Sequence, residues 1–201
     1  MAGRTRPFTC EAQFQHELAA YLRDHNKNNP KVHLEYFVPK VFIASKSSKA
    51  YIDIVIEQDN EFVPIELKFK TTSLKPKKSL YSCFGNEEKC QLIRKMAAQN
   101  INRYAVWKDV KRIEWIKSQP QYCKTVKTGF VVFHTNDPLY FASGVDYALS
   151  KCKGYRPIDP EDQEHPLNIL NKYDISWRKH SKIKIKKKKP TPLFHYTIIE
   201  V

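Results

Sequence analysis

Three residues have the types and spacing to do chemistry together: Asp53 and, after twelve intervening residues, Glu66 and Lys68. They fall in two runs, Tyr51–Glu57 and Glu61–Lys70, separated by Gln58-Asp59-Asn60, which is the pattern of a β-hairpin. With Asp59-Asn60 as a two-residue turn, Asp53 stands opposite Glu66 and Tyr51 opposite Lys68. Asp53 and Glu66 then form a non-hydrogen-bonded pair, the type with the closer side chains. Pro64 also falls at a non-hydrogen-bonded position, so its missing N–H costs the hairpin nothing. Two directly opposed carboxylates repel. Lys68 compensates one charge, and a hard divalent ion held by oxygen ligands would compensate the rest. Two other readings stand beside this one. Asp, Glu and Lys are ordinary on a solvated outer face, and a three-residue loop over Gln58 to Asn60 would place Asp53 and Glu66 on different faces.

The elements that must position these residues follow from periodicity. The opposite hairpin face, Ile52, Ile54 and Ile56 against Val63, Ile65, Leu67 and Phe69, is apolar and is expected to be core. Upstream, Phe8 and Thr9 can staple and cap a helix whose apolar face is Phe14, Leu18, Tyr21 and Leu22. It should stop in the polar cluster Asn26 to Pro30. A strand is expected over about Val32 to Ile43, with Pro39 inside or breaking it. Downstream, Thr71 to Phe84 reads as a lysine-bearing loop. Asn86 to Ser118 reads as one bent helix or two, with Cys90, Ile93, Ala97, Ile101, Tyr104, Trp107, Val110 and Ile113 as its stripe. Gly129 to His134 and Phe194 to Val201 read as strands. This order implies an α/β fold with a central mixed β-sheet flanked by helices.

Composition bounds the partners. The chain has 201 residues, 41% hydrophobic and 12% aromatic, enough apolar material for a core. Lys and Arg number 35 against 21 Asp and Glu, a net charge of +14, so a polyanion is the expected partner. The 5 glycines argue against a Gly-rich phosphate loop. The 5 cysteines form no CxxC pair, and they read as reduced thiols of a cytoplasmic protein. No apolar run approaches the roughly 18 residues of a membrane helix, and residues Met1 to Phe8 lack a signal-peptide core. Two segments could grip phosphates: one holding Lys70, Lys75, Lys77 and Lys78, the other the basic run 178–189 with Arg178, Lys179, Lys186, Lys187 and Lys188. The latter could equally be an edge strand, a loop or a localisation patch. Trp107, Trp115 and Trp177 are expected in the core rather than stacked on bases.

Asp53 followed by Glu66-Leu67-Lys68 resembles the D…(D/E)xK signature of the PD-(D/E)xK nuclease superfamily, which includes restriction endonucleases and Holliday-junction resolvases. The resemblance covers about Thr9 to His134, with Ile52 where the family often has Pro. It implies a restriction-endonuclease-like core over 1–140, with 141–201 as a C-terminal extension carrying the basic segment and the final strand, packed on the same domain. It implies a Mg²⁺-dependent endonuclease acting on duplex or branched DNA, with Mn²⁺ able to substitute. Homodimerisation is compatible with cutting both strands. Asp53 and Glu66 would be metal ligands. Lys68 would orient the attacking water, or deprotonate it if the site lowers its pKa. The Leu67 carbonyl would join the ligands, although the hairpin register gives it a ladder bond to Ile52. The helix glutamate that many members place near the metal is assigned to Glu17, with Glu11 the lesser candidate. The residues assigned to the helix after the third strand are Gln91 with Arg94 or Lys95, with Gln99 competing. The alternatives are a non-catalytic nucleic-acid-binding module of the same fold and a basic RNA-associated protein without an active site.

Overall fold

The hairpin turn decides the register. In the computed structural model Asp59 and Asn60 both take left-handed backbone conformations, φ 51° and 63°. Asp and Asn tolerate that region better than other non-glycine residues, and two such residues in succession make the turn that suits the twist of paired strands. Strand β2 (Lys49–Gln58) therefore pairs with β3 (Glu61–Lys70) in the two-residue-loop register, Gln58 opposite Glu61 through Ile54 opposite Ile65. The structure describes residues 8–26, 28–39, 49–73, 93, 96, 99–141, 167–182 and 193–201.

Helix α1 (Glu11–His25) precedes β1 (Lys31–Pro39). Its N-cap is Cys10, whose sulfur accepts from the Gln13 N–H. Thr9, the expected cap, instead donates from its N–H and hydroxyl to Gln13 Oε1. Strand β1 pairs antiparallel with β2 and stops at Pro39, an edge-strand position where a missing N–H is tolerated. Helix α2 (Gln99–Ser118) connects β3 to the parallel strand β4 (Phe130–Thr135), followed by a short 3₁₀ turn, Pro138–Tyr140. Strands β5 (Arg178–Lys182) and β6 (Leu193–Glu200) complete one six-stranded mixed sheet of order β1-β2-β3-β4-β6-β5, antiparallel everywhere except β3–β4.

Both faces of the sheet are covered, so the core is double. On one face α1 contributes Phe14 and Ala19 against Ile54, Ile65, Leu67, Phe69 and Phe194. On the other, α2 contributes Val106, Trp107, Val110, Ile113 and Ile116 against Ile52, Val55, Val131, Phe133 and Ile199. Each such side chain removed from water contributes about 1.5–3 kcal/mol. Gly129 marks the tightest approach: a Cβ there would lie 2.7 Å from Ile113 Cγ2 and 2.9 Å from Pro64 Cγ.

Two expectations are corrected. Of the helix expected over Asn86 to Ser118, Gln99–Ser118 is helical, Ile93 and Met96 are not, and the rest of 86–98 lies outside the described residues; Ile93 belongs to the α1-side core while Ile101 is exposed. An apolar recurrence of three or four residues cannot say which side of a sheet its members fill. Ile52, Ile54 and Ile56 do not share a face. Val32, Ile54 and Ile56 pack toward α1, whereas Tyr36, Val38, Ala50 and Ile52 pack toward α2. The alternation reverses at Glu35 and Asp53, which the β1–β2 ladder skips, and Glu35 sits at φ 49°. The strand expected over about Val32 to Ile43 is described as far as Pro39, and 40–48 lie outside the described residues.

Candidate active site

The reversal at Asp53 opens a fork. Beyond Ile54 and Ile65 the β2–β3 ladder ends, and side chains take over the backbone groups that a continued ladder would have paired. The Leu67 N–H donates to Asp53 Oδ2 at 2.6 Å. The Leu67 carbonyl accepts from Lys68 Nζ at 3.1 Å in place of the expected ladder bond to Ile52. The Phe69 N–H donates to Glu11 Oε2 at 2.7 Å. From α1, the Gln15 amide donates both to the Asp53 carbonyl at 2.7 Å and to Glu35 Oε1 at 2.8 Å. Glu11 and Gln15 lie one turn apart on one helix face, and this face fills the fork.

The other side of β3 meets α2. Glu66 is 1% exposed and accepts from Arg112 Nη1. Lys68 Nζ pairs with Asp109 Oδ2 at 2.6 Å, and Arg112 Nη1 lies 3.5 Å from Asp109 Oδ1. Asp109 and Arg112, three residues apart, present one carboxylate and one guanidinium to the same strand. Asp53 thus sits in the fork while Glu66 and Lys68 face α2, and the two sides share charge through the sheet.

Electrostatics follow from burial. The Asp53 carboxyl is pushed above its ordinary value, mainly by burial, against the opposing pull of the Leu67 N–H and Lys68. Glu66 is pushed well above its ordinary value by burial and by the Asp109 charge, more than Arg112 can offset. Burial lowers the Lys68 ammonium, but Asp109 and Glu66 outweigh it and the net shift is upward. The Lys108 ammonium, on the turn before Arg112, is lowered by burial and by Arg112. Four carboxylates (Glu11, Asp53, Glu66, Asp109) act on one another here, with Lys68 and Arg112 as the inner cations. Lys108 stands at the margin of the same group, acting on Asp109 and Arg112, so acids outnumber cations four to three.

The chemistry of the donor set is that of a site for a hard divalent cation. Every candidate ligand atom is an oxygen, and Mg²⁺ is commonly held by one or two carboxylates with water completing its shell. The ligands the resemblance implies are Asp53, Glu66 and the carbonyl of Leu67, the residue between Glu66 and Lys68; an ion would compete with Arg112 for Glu66 and with Lys68 for the carbonyl. Among the described residues no group of three or more His, Cys, Asp or Glu side chains is arranged around one point.

Glu17 does not accompany these residues. It accepts from Gln13 Nε2 at 3.1 Å and lies two positions from Gln15, on a different side of α1. Glu11 occupies the fork instead. Lys70 ends β3, half-buried and paired in register with Thr135. Arg178 and Lys179 lie on the edge strand β5, three strands from β3 and so roughly 14 Å across the sheet. Lys75, Lys77, Lys78, Gln91, Arg94, Lys95, Lys186, Lys187 and Lys188 lie outside the described residues. Gln99 is the first residue of α2. Trp107 is buried, while Trp115 and Trp177 pack against the α2-side core. Cys10 and Cys123 are free thiols.

Sequence reasoning missed Asp109, Arg112, Gln15 and Glu35. One signal was available for the helix pair: Asp109 and Arg112 interrupt an arc whose other members, Val106, Val110 and Ile113, are all apolar. Nothing in the sequence marks Glu35 as a left-handed residue.

Among the described residues no helix is long and apolar enough to cross a membrane. Comparison with protein-family models, curated proteins and solved structures returns no match for this chain.

Proposed function

We propose that this chain is a Mg²⁺-dependent endonuclease with a restriction-endonuclease-like core, hydrolysing DNA phosphodiester bonds at the Asp53–Glu66–Lys68 fork. The observation that carries the reading is the buried acid cluster where β2 and β3 part, with Asp53 and Glu66 both pushed above the ordinary carboxyl range and Lys68 paired to Asp109 beside them. A divalent ion there would supply a water of lowered pKa and neutralise charge on the scissile phosphate. Asp53, its carboxylate fixed by the Leu67 N–H, and Glu66, fixed by Arg112, would be the ligands. Lys68 is held protonated by Asp109, so its role is to orient the water and counter phosphate charge, not to remove a proton. Lys70 and Lys108 would contact neighbouring phosphates, and a net charge of +14 would bring the polyanion to the site. The expected product is a 5′-phosphate end with a 3′-hydroxyl.

A plasmid-nicking assay tests this. Nicking should require Mg²⁺ or Mn²⁺ and stop with chelator. Asp53→Asn should lose at least about 100-fold in rate while keeping DNA affinity, because an amide oxygen still accepts the Leu67 N–H but the charge is gone. Undiminished nicking by this variant rejects the mechanism. Metal-independent DNA binding without nicking leaves the non-catalytic module of the same fold.

A further inference from the structure

Phe37 and Tyr51 are large aromatic residues left in water, 45% and 56% exposed. They are direct register partners on β1 and β2, with ring centroids 5.4 Å apart and planes tilted by 49°. Their exposure has a local cause. Leu18 and Leu22 of α1 cover Val32, Ile54 and Ile56 on the hairpin side of the face reversal. At the reversal, Gln15 bonds Glu35 and Asp53. The helix then turns away toward β3, where Glu11 meets Phe69. Because Tyr36 and Ile52 face α2, Phe37 and Tyr51 fall on the α1 side, past the point where α1 leaves the sheet. Tyr51 is two residues from Asp53, about 7 Å along the strand.

We infer that Phe37 and Tyr51 are a stacking platform for unpaired nucleobases beside the carboxylate fork, so that nucleic acid with a splayed or single-stranded segment is the preferred substrate. This rests on the fork being a phosphodiester site. Aromatic faces bind bases of any identity, and the net charge of +14 draws a polyanionic backbone to the chain. A duplex keeps its bases stacked on one another and gains nothing from the rings.

The test is fluorescence anisotropy of the full chain with a labelled single strand and with its blunt duplex, both in chelator. Tyr51→Ala and Phe37→Ala should each weaken single-strand binding about 5- to 150-fold, the worth of one stacked base. Duplex affinity should stay within about twofold, and Tyr51→Phe should bind as the parent does. Equal losses on both nucleic acids, or no loss, overturn the platform. So does a change of sedimentation from dimer to monomer in Tyr51→Ala, which would make the patch a contact between copies of this chain. With the ion removed, the result stands apart from cutting: stacking without nicking removes the nuclease reading alone, and nicking without strand preference removes the platform alone.

Discussion

Arg112 is the residue whose removal most sharply exposes the charge imbalance of the fork. Its guanidinium is the hydrogen-bond donor to Glu66, which is 1% exposed and lies within the field of Asp109 and Asp53. Arg112→Ala leaves that carboxylate buried with Lys68 as its remaining cation, already paired to Asp109. Removing one partner of a buried pair costs about 3–5 kcal/mol. For a chain of this size that corresponds to a fall in Tm of roughly 6–20 °C. The pH dependence has a defined sign. Glu66 holds its proton more tightly folded than unfolded, so its contribution is lost as pH rises from the ordinary carboxyl value through the raised one. The Arg112→Ala deficit should therefore be largest at high pH. Urea denaturation at several pH values reads it, with Glu66→Gln and the double variant completing a cycle whose coupling should exceed about 2 kcal/mol. A loss below about 1 kcal/mol, or an equal loss in the Glu66→Gln background, refutes the reasoning.

Gly129→Ala should cost about 1–3 kcal/mol in urea denaturation, because its Cβ would meet Ile113 and the Pro64 ring and carbonyl at 3.0 Å or less. Metal affinity should be unchanged. His134 is stacked between Phe69 and Phe194, with centroids 5.5 and 5.0 Å away, and burial together with His180 and His195 lowers its pKa to about 3. The folded state then refuses a proton that the unfolded chain accepts below about pH 6.5, so stability falls as pH drops toward 3, by about 3 kcal/mol at pH 4.5. His134→Phe should remove that part of the slope between pH 7 and 4.5.

The legible parts of the sequence were those with strict local rules. The Asp59-Asn60 turn set the β2–β3 register, and the alternation of Phe194 to Val201 and the spacing of Phe14, Leu18 and Leu22 located β6 and the buried face of α1. Asp53, Glu66 and Lys68, singled out by type and spacing, do lie close enough to act on one another's charge. The face reversal was not legible, because a period of two carries no mark of the point where it breaks, and Glu35 is not a residue that announces a left-handed backbone. The apolar stripe favours Glu17 over Glu11, but the fork is reached by the first residue of α1 and the residue one turn on, Glu11 and Gln15. Asp109 and Arg112 were passed over because charges on a long helix usually face water, and only the sheet beneath α2 turns them inward.

Isothermal titration of the chain with Mn²⁺ tests the ion directly. One ion per chain is expected to bind, with affinity lowered at least about tenfold by Asp53→Asn and by Glu66→Gln, and with protons released as the raised carboxyls ionise. Saturation without loss in either variant, or no saturable heat at all, would contradict a metal at this fork.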